Sequence, residues 1–240
     1  METLEFSIEP SVPANEAPPG PGGVIQLDGG PSRAILLAPD TIDPARAYPL
    51  ITVLHGAGRQ DEILVRAYRE EAARRQALFL VPRSTQATWD LFVGANRDDL
   101  DFLMRVYRGI YARYRIDHAR QSLIGYSDGA TYALAIGLSN PRVFSAVVAW
   151  APGFVLVDRS RFAPDEPKPR VLVEHGTHDQ VFPFEEIAAR NRQILTDLGY
   201  DVDFRVDENG IHWPRREFQR DALDWLLNDS GSERGRAPPA

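Results

Sequence analysis

Apolar and polar residues divide this chain into two kinds of block. Short, nearly continuous apolar runs at 50–54, 78–81, 143–150 and 171–173 have the pattern of strands covered on both faces. Residues 33–37, 122–124 and 202–206 read as further strands. Longer amphipathic segments lie between them. In 98–114 the apolar residues fall at Leu103, Val106, Tyr107, Ile110, Tyr111 and Tyr114, the three-and-four spacing of one helical face. Residues 62–76 and 130–138 also read as helices, as do 184–198, ended by Gly199, and 215–227, with Phe218, Ala222, Trp225 and Leu226 on one side. Strand and helix alternate from end to end. That predicts the α/β class: a mostly parallel central sheet with helices on both faces. In such sheets the working residues gather at the carboxyl ends of the strands.

The alternation stops at both ends. Residues 10–23 hold Pro10, Pro13, Pro18, Pro19, Gly20, Pro21, Gly22 and Gly23, and residues 228–240 are almost free of apolar side chains. The expected organisation is a Pro/Gly-rich, partly flexible segment over 1–30, one domain over 31–228 and a disordered tail over 229–240.

Composition narrows the partners. A formal net charge of −7 disfavours binding to nucleic acid or to anionic membranes through bulk charge. The chain has no cysteine, which excludes disulfides, thiolate metal ligands and a cysteine nucleophile. No apolar stretch approaches the ~18 residues that span a bilayer. The opening Met1-Glu2-Thr3-Leu4-Glu5-Phe6 is acidic and lacks the basic-then-apolar pattern of a leader. The expectation is a cytoplasmic protein, monomer or homodimer, that does not insert into membranes.

Gly125-Tyr126-Ser127-Asp128-Gly129 carries the chemistry. It joins the strand at 122–124 to the helix at 130–138, so the turn is tight and puts the serine at its apex. Glycine is needed on both sides, because a Cβ there would clash with the neighbouring strand and helix. A serine hydroxyl becomes nucleophilic only beside a base. Of five histidines, only His212 follows the last strand, in the loop Asn209-Gly210-Ile211-His212-Trp213-Pro214. His118 falls at the opposite end of the sheet and reads as structural. An acid must orient the base, and Asp179 follows the strand at 171–173. The chain order Ser127, Asp179, His212 is that of the α/β-hydrolase arrangement. Asp128 points onto its helix, and Asp201, Asp203 and Asp207 are weaker rivals for the acid. His175, His178 and Asp179 form an H-x-x-H-D cluster, but they lie in a loop without a distant third ligand. No metal and no cofactor are expected, and His175 is assigned to fixing the loop. Acyl transfer also needs donors for an oxyanion. Leu54-His55-Gly56-Ala57-Gly58 follows an early strand, and the backbone N–H groups of Ala57 and Asp128 are the expected pair.

These pieces together resemble the α/β-hydrolase superfamily and, within it, the phospholipase/carboxylesterase group of small serine esterases. The resemblance rests on Leu54–Gly58, Val81-Pro82-Arg83-Ser84, Thr88-Trp89-Asp90, 125–130, Ala151-Pro152-Gly153-Phe154, 175–179 and Gly210-Ile211-His212, which span residues 50 to about 226. It implies an α/β-hydrolase fold and hydrolysis of small-molecule carboxylic esters, with thioesters as a further option. Peptidase or polyester depolymerase chemistry on the same residues, or a catalytically silent binding protein, are the alternatives. The chain departs from the group at Asp128, where related esterases often carry glutamine or a small residue. A carboxylate there opposes an oxyanion unless it turns away. The stretch between Trp150 and Arg170 is short and proline-rich, so no large cap domain is expected, and an open pocket favours short-chain or water-soluble acyl esters. Trp89 and Phe154 are the expected pocket aromatics. The acidic and arginine-rich Asn96-Arg97-Asp98-Asp99 has no reading at this level.

Overall fold

The structure is a computed structural model that describes residues 19–29, 32–93, 97–156 and 167–228. It contains one eight-stranded sheet with the order β1-β2-β4-β3-β5-β6-β7-β8. The strands are β1 (Gly23–Gly29), β2 (Ser32–Ala38), β3 (Tyr48–Leu54), β4 (Leu78–Pro82), β5 (Ile116–Tyr126), β6 (Ala146–Trp150), β7 (Arg170–Gly176) and β8 (Val202–Asp207). β2 is antiparallel to both β1 and β4, and every pairing from β4 through β8 is parallel. The sheet is thus the mostly parallel one that the strand–helix alternation predicts.

Alternation along the strands divides the core between two faces. Leu50 and Leu54 of β3 pack with α3 (Asp98–Tyr111) and α4 (Asp128–Ser139), while Ile51 and Val53 pack with α1 (Asp61–Arg75) and α6 (Arg216–Leu227). A short helix, α2 (Asp90–Val93), precedes α3, and a π-helical turn at Phe184–Ala188 leads into α5 (Ala189–Asp197). The helix expected over 184–198 therefore begins on a wider turn. In α4 every residue from Gly129 to Leu138 is buried, so the helix lies within the core rather than on its surface. Its small side chains permit this: a Cβ on Gly137 would overlap the Val147 side chain of β6.

Three expectations change. Residues 23–29 are an edge strand, and the chain ahead of it is tied down: Gly20 N–H donates to Arg113 O (2.9 Å), and Tyr114 Oη donates to Pro21 O (2.7 Å). Alternating apolar positions at Ile25 and Leu27 pack on the core, and this pattern is obscured in sequence by the prolines before it. The strand expected over 143–150 begins only at Ala146. Val143 and Phe144 instead close a turn on Asn140 O. β5 begins well before the expected 122. The expected features at 1–18, in the tail over 229–240 and over 157–166 of the stretch read as too short for a cap lie outside the described residues. Among the described residues, no helix is long and apolar enough to cross a membrane.

Candidate active site

Ser127 sits between β5 and α4 with φ 54° and ψ −120°, a conformation that disfavours any side chain. The surroundings impose it. A Cβ on Gly125 would overlap the Gly129 carbonyl, and a Cβ on Gly129 would overlap the carbonyls of Leu54 and His55. The turn can be this tight only because both neighbours lack side chains. Ser127 N–H donates to Trp150 O (2.9 Å), and Ser127 O accepts from Ala130 N–H (2.9 Å).

The hydroxyl so presented meets an imidazole. Ser127 Oγ lies 2.9 Å from His212 Nε2, and His212 Nδ1 lies 2.7 Å from Asp179 Oδ2. A carboxylate only accepts, so the Nδ1 proton is directed at Asp179 and the Nε2 lone pair faces the serine hydroxyl. The Asp179 side chain is fully buried, and both its oxygens are engaged: Oδ2 faces His212, and Oδ1 receives the N–H groups of Val181 (2.8 Å) and Phe182 (2.9 Å). His175 Nε2 donates to Phe182 O (2.7 Å) and lies 3.1 Å from Asp179 Oδ2. Burial pushes the His175 imidazole down from its ordinary value, which keeps it neutral beside the acid. His175 thus holds the residue that holds Asp179.

The loops carrying acid and base are fastened together. His178 N–H donates to Gly210 O (2.8 Å), Asn209 N–H to Thr177 Oγ1 (2.9 Å) and Thr177 N–H to Asp207 O (3.0 Å). Arg215 pairs with Asp207 and donates to Glu208 O (2.7 Å), bracing the start of the His212 loop.

On the other side of Ser127 lies the loop after β3. His55 is fully buried. Ser84 N–H donates to its Nε2 (3.0 Å), so its proton is on Nδ1, 2.6 Å from Gly56 O. Burial again lowers its affinity for a second proton. Gly56 packs against Ser127: a Cβ there would lie 3.2 Å from Ser127 Cβ. Neither Ala57 N–H nor Asp128 N–H donates to another backbone group among the described residues. The Asp128 carboxylate is engaged by Thr88, whose Oγ1 donates to Oδ2 (2.6 Å).

A strap over residues 84–90 ties this region together. Gly58 N–H donates to Ala87 O (2.8 Å), Trp89 Nε1 donates to His55 O (2.8 Å), and Arg59 donates to the carbonyls of Thr85 and Gln86. The strap is closed by two aspartates. Asp90 N–H donates to Asp99 Oδ2 (2.8 Å), and Asp99 N–H to Asp90 Oδ2 (3.0 Å). Burial pushes both carboxyls upward. Asp99, in the stretch that has no reading in sequence, is the far half of this clasp; Asn96 lies outside the described residues. The sequence signal was an Asp pair nine residues apart around a short connection, which no periodicity marks.

Of the two expected pocket aromatics, Phe154 is 38% exposed and meets Phe92 edge-on at 5.5 Å. Trp89 is a correction. It has no exposed surface and stacks between His55 (4.7 Å) and Tyr132 (5.0 Å), so it supports the site from within the core. Phe182, an aromatic the sequence also offers as a pocket candidate, lies with Val181 and Ile211 beside Asp179 and His212. The ring of Phe182 lies 5.4 Å edge-on from His212, while Val181 and Ile211 are exposed. His118 lies at the start of β5, 3.2 Å from Gln121 Oε1, away from Ser127. His178 is exposed beside Thr177, and among the described residues no group of three or more His, Asp or Glu is arranged to hold a metal ion.

A mostly parallel sheet with helices on both faces, with Ser127 at the turn after the central strand β5 and Asp179 and His212 in the loops after β7 and β8, is the α/β-hydrolase fold. The family model described as "Putative esterase" matches residues 29–194. The chain belongs to this Esterase family, and its chemistry is accordingly the hydrolysis of carboxylic esters. Solved structures share the fold at low identity. A thermostable esterase is 21% identical with a TM-score of 0.65, over 85% of this chain and 62% of that one, so the chain spans less than two thirds of that esterase. The fluorophosphonate-binding serine hydrolase F of Staphylococcus aureus is 16% identical with a TM-score of 0.66, over 88% of this chain and 100% of that one. A CE1 ferulic acid esterase from Anaeromyces mucronatus is 14% identical with a TM-score of 0.68, over 95% of this chain and 97% of that one. No curated protein sequence matches significantly.

Proposed function

We propose that the chain hydrolyses small carboxylic esters through an acyl-enzyme on Ser127. His212 Nε2 takes the hydroxyl proton as Oγ attacks the acyl carbon, then gives it to the departing alcohol. Asp179 holds the imidazole in the tautomer that can accept, and stabilises its charged form. The N–H groups of Ala57 and Asp128 receive the oxyanion, each worth about 3 kcal/mol in the transition state. Water, deprotonated by the same imidazole, then releases the acid. The reading needs no cofactor.

The observation that carries this reading is the continuous line Ser127 Oγ, His212, Asp179, with separations of 2.9 and 2.7 Å. Three residues far apart in sequence meet in the order that proton transfer requires. The Phe182 ring edge-on to His212 at 5.4 Å, with the exposed Val181 and Ile211 beside Asp179 and His212 in their loops, supports a substrate whose acyl group is small and apolar. The test is turnover of p-nitrophenyl acetate and butyrate by purified protein beside Ser127→Ala. The variant loses about four to six orders of magnitude in kcat and stays folded. A fluorophosphonate probe labels the parent and leaves the variant unmarked. Labelling of the variant at the parent's rate, or near-normal turnover, overturns the assignment.

A further inference from the structure

One hydrogen bond joins two residues that flank the nucleophile from separate segments. Thr88 Oγ1 donates to Asp128 Oδ2 at 2.6 Å. Asp128 is the first residue of α4 and follows Ser127 directly. The residue assigned to stabilise negative charge through its N–H therefore also carries a negative side chain. Rotated toward Ser127, that carboxylate would repel the oxyanion that the N–H attracts. A neutral amide or a small side chain at this position carries no such liability.

Thr88 is well placed to prevent that rotation, because the strap fixes it on both sides. On one side Ala87 O holds Gly58 N–H (2.8 Å). On the other, the Trp89 indole is buried, stacks on His55 and donates to His55 O (2.8 Å). The next residue, Asp90, is locked to Asp99 by reciprocal bonds of 2.8 and 3.0 Å. A hydroxyl carried by such a segment has little freedom to release its acceptor. The same seven residues also anchor the loop that presents Ala57 N–H, so both sides of the oxyanion site hang from one strap.

We propose that Thr88 is a positioning residue that holds the Asp128 carboxylate away from the forming oxyanion. The proposal rests on the Ser127 reading above. Among the described residues the Thr88 hydroxyl bonds to Asp128, while the Ser127 side chain bonds to His212 and His212 to Asp179, so Thr88 acts through Asp128. Its effect falls on the transition state, where the charge develops, and not on the bound ester.

The test is a double-mutant cycle read by steady-state hydrolysis of p-nitrophenyl acetate, with thermal unfolding of each protein as a check on folding. Thr88→Val keeps the shape and removes the hydroxyl. It lowers kcat roughly 10- to 100-fold with KM within about twofold. Thr88→Ser keeps the donor and retains most of the activity. In an Asp128→Asn background, where no charge remains to be held back, the same Thr88→Val change costs less than about threefold. An equal cost in both backgrounds assigns the effect to strap packing and overturns the proposal, as does a silent Thr88→Val in the parent. If Thr88→Val fails to fold, Thr88→Ala in the two backgrounds makes the same comparison. Ser127→Ala separates the two levels. If it still turns over, the underlying reading has failed; if it is inactive while Thr88→Val is silent, only the role of Thr88 has failed.

Discussion

The backbone of Gly176 passes so close to that of Gly210 that a Cβ on Gly176 has no room: it would overlap the Gly210 carbonyl, while a Cβ on Gly210 would overlap the Asp207 side chain. Gly176 ends β7 and leads to Asp179; Gly210 lies two residues before His212. The separation of acid and base is therefore set by two main chains in contact.

Gly176→Ala is expected to force these loops apart, because the obstruction is backbone and not a flexible side chain. Turnover falls about 100-fold, as a displacement of ~1 Å at a catalytic group does. Stability falls by ~1–3 kcal/mol, the usual cost of overpacking. Steady-state kinetics and urea unfolding measure the two effects.

Ser127 stores strain. Its φ of 54° with ψ −120° costs roughly 1–3 kcal/mol for a residue with a Cβ. Glycine relieves it and loses ~0.5–1 kcal/mol of that to chain entropy. Ser127→Gly is thus expected to be about 1 kcal/mol more stable than Ser127→Ala, with both inactive. Equal denaturation midpoints for the two variants would contradict a strained elbow.

His175→Leu leaves the Phe182 carbonyl without its 2.7 Å donor and removes the N–H edge 3.1 Å from Asp179. A loss of about 1–3 kcal/mol in stability is expected from the orphaned acceptor, together with a fall in kcat of about tenfold. His175→Gln, which keeps an N–H donor at a similar reach, recovers part of both. Stopped-flow labelling with a fluorophosphonate reads the chemical step directly.

Glu174 supplies a pH dependence. It is 4% exposed, and burial, with the nearby Asp207 charge adding, pushes its carboxyl up to about 8; Arg205 and Arg215 oppose the shift. In the unfolded chain a glutamate titrates near ~4.3. Between those values the folded protein keeps a proton that the unfolded chain has released, so stability falls as pH rises through this window and levels off above about 8. Glu174→Gln removes that slope. The variant is expected to match the parent near pH 4 and to melt higher than it at pH 8.5. Thermal scans across the window check this, and parallel curves for the two proteins would refute it.

Much of the fold is legible in the sequence because burial on both faces leaves a mark. Leu50–Leu54, Leu78–Val81 and Val171–Val173 are apolar but for Thr52, and they belong to inner strands. The face of α3 is legible for the same reason. β1 is not, since it is an edge strand with Val24 and Gln26 exposed and prolines before it. The turn at Ser127 is legible because glycine is obligatory on both sides. Trp89 was misjudged for a physical reason: an aromatic next to a loop motif has the same sequence signature whether it lines a cavity or supports its wall. The Thr88–Asp128 bond and the Asp90–Asp99 clasp leave no periodic trace. They depend on how a connecting segment folds back, which is decided by tertiary contacts.

β8 forms one border of the sheet, with no further strand beyond it among the described residues, and it leads directly into the loop that bears His212. Ser127 instead leaves β5, three strands inward. Thermal fraying starts at such borders. Warming is therefore expected to disarm this protein from its margin, letting the imidazole drift while the interior is still folded. Activity would then vanish some degrees below the melting transition and return on cooling.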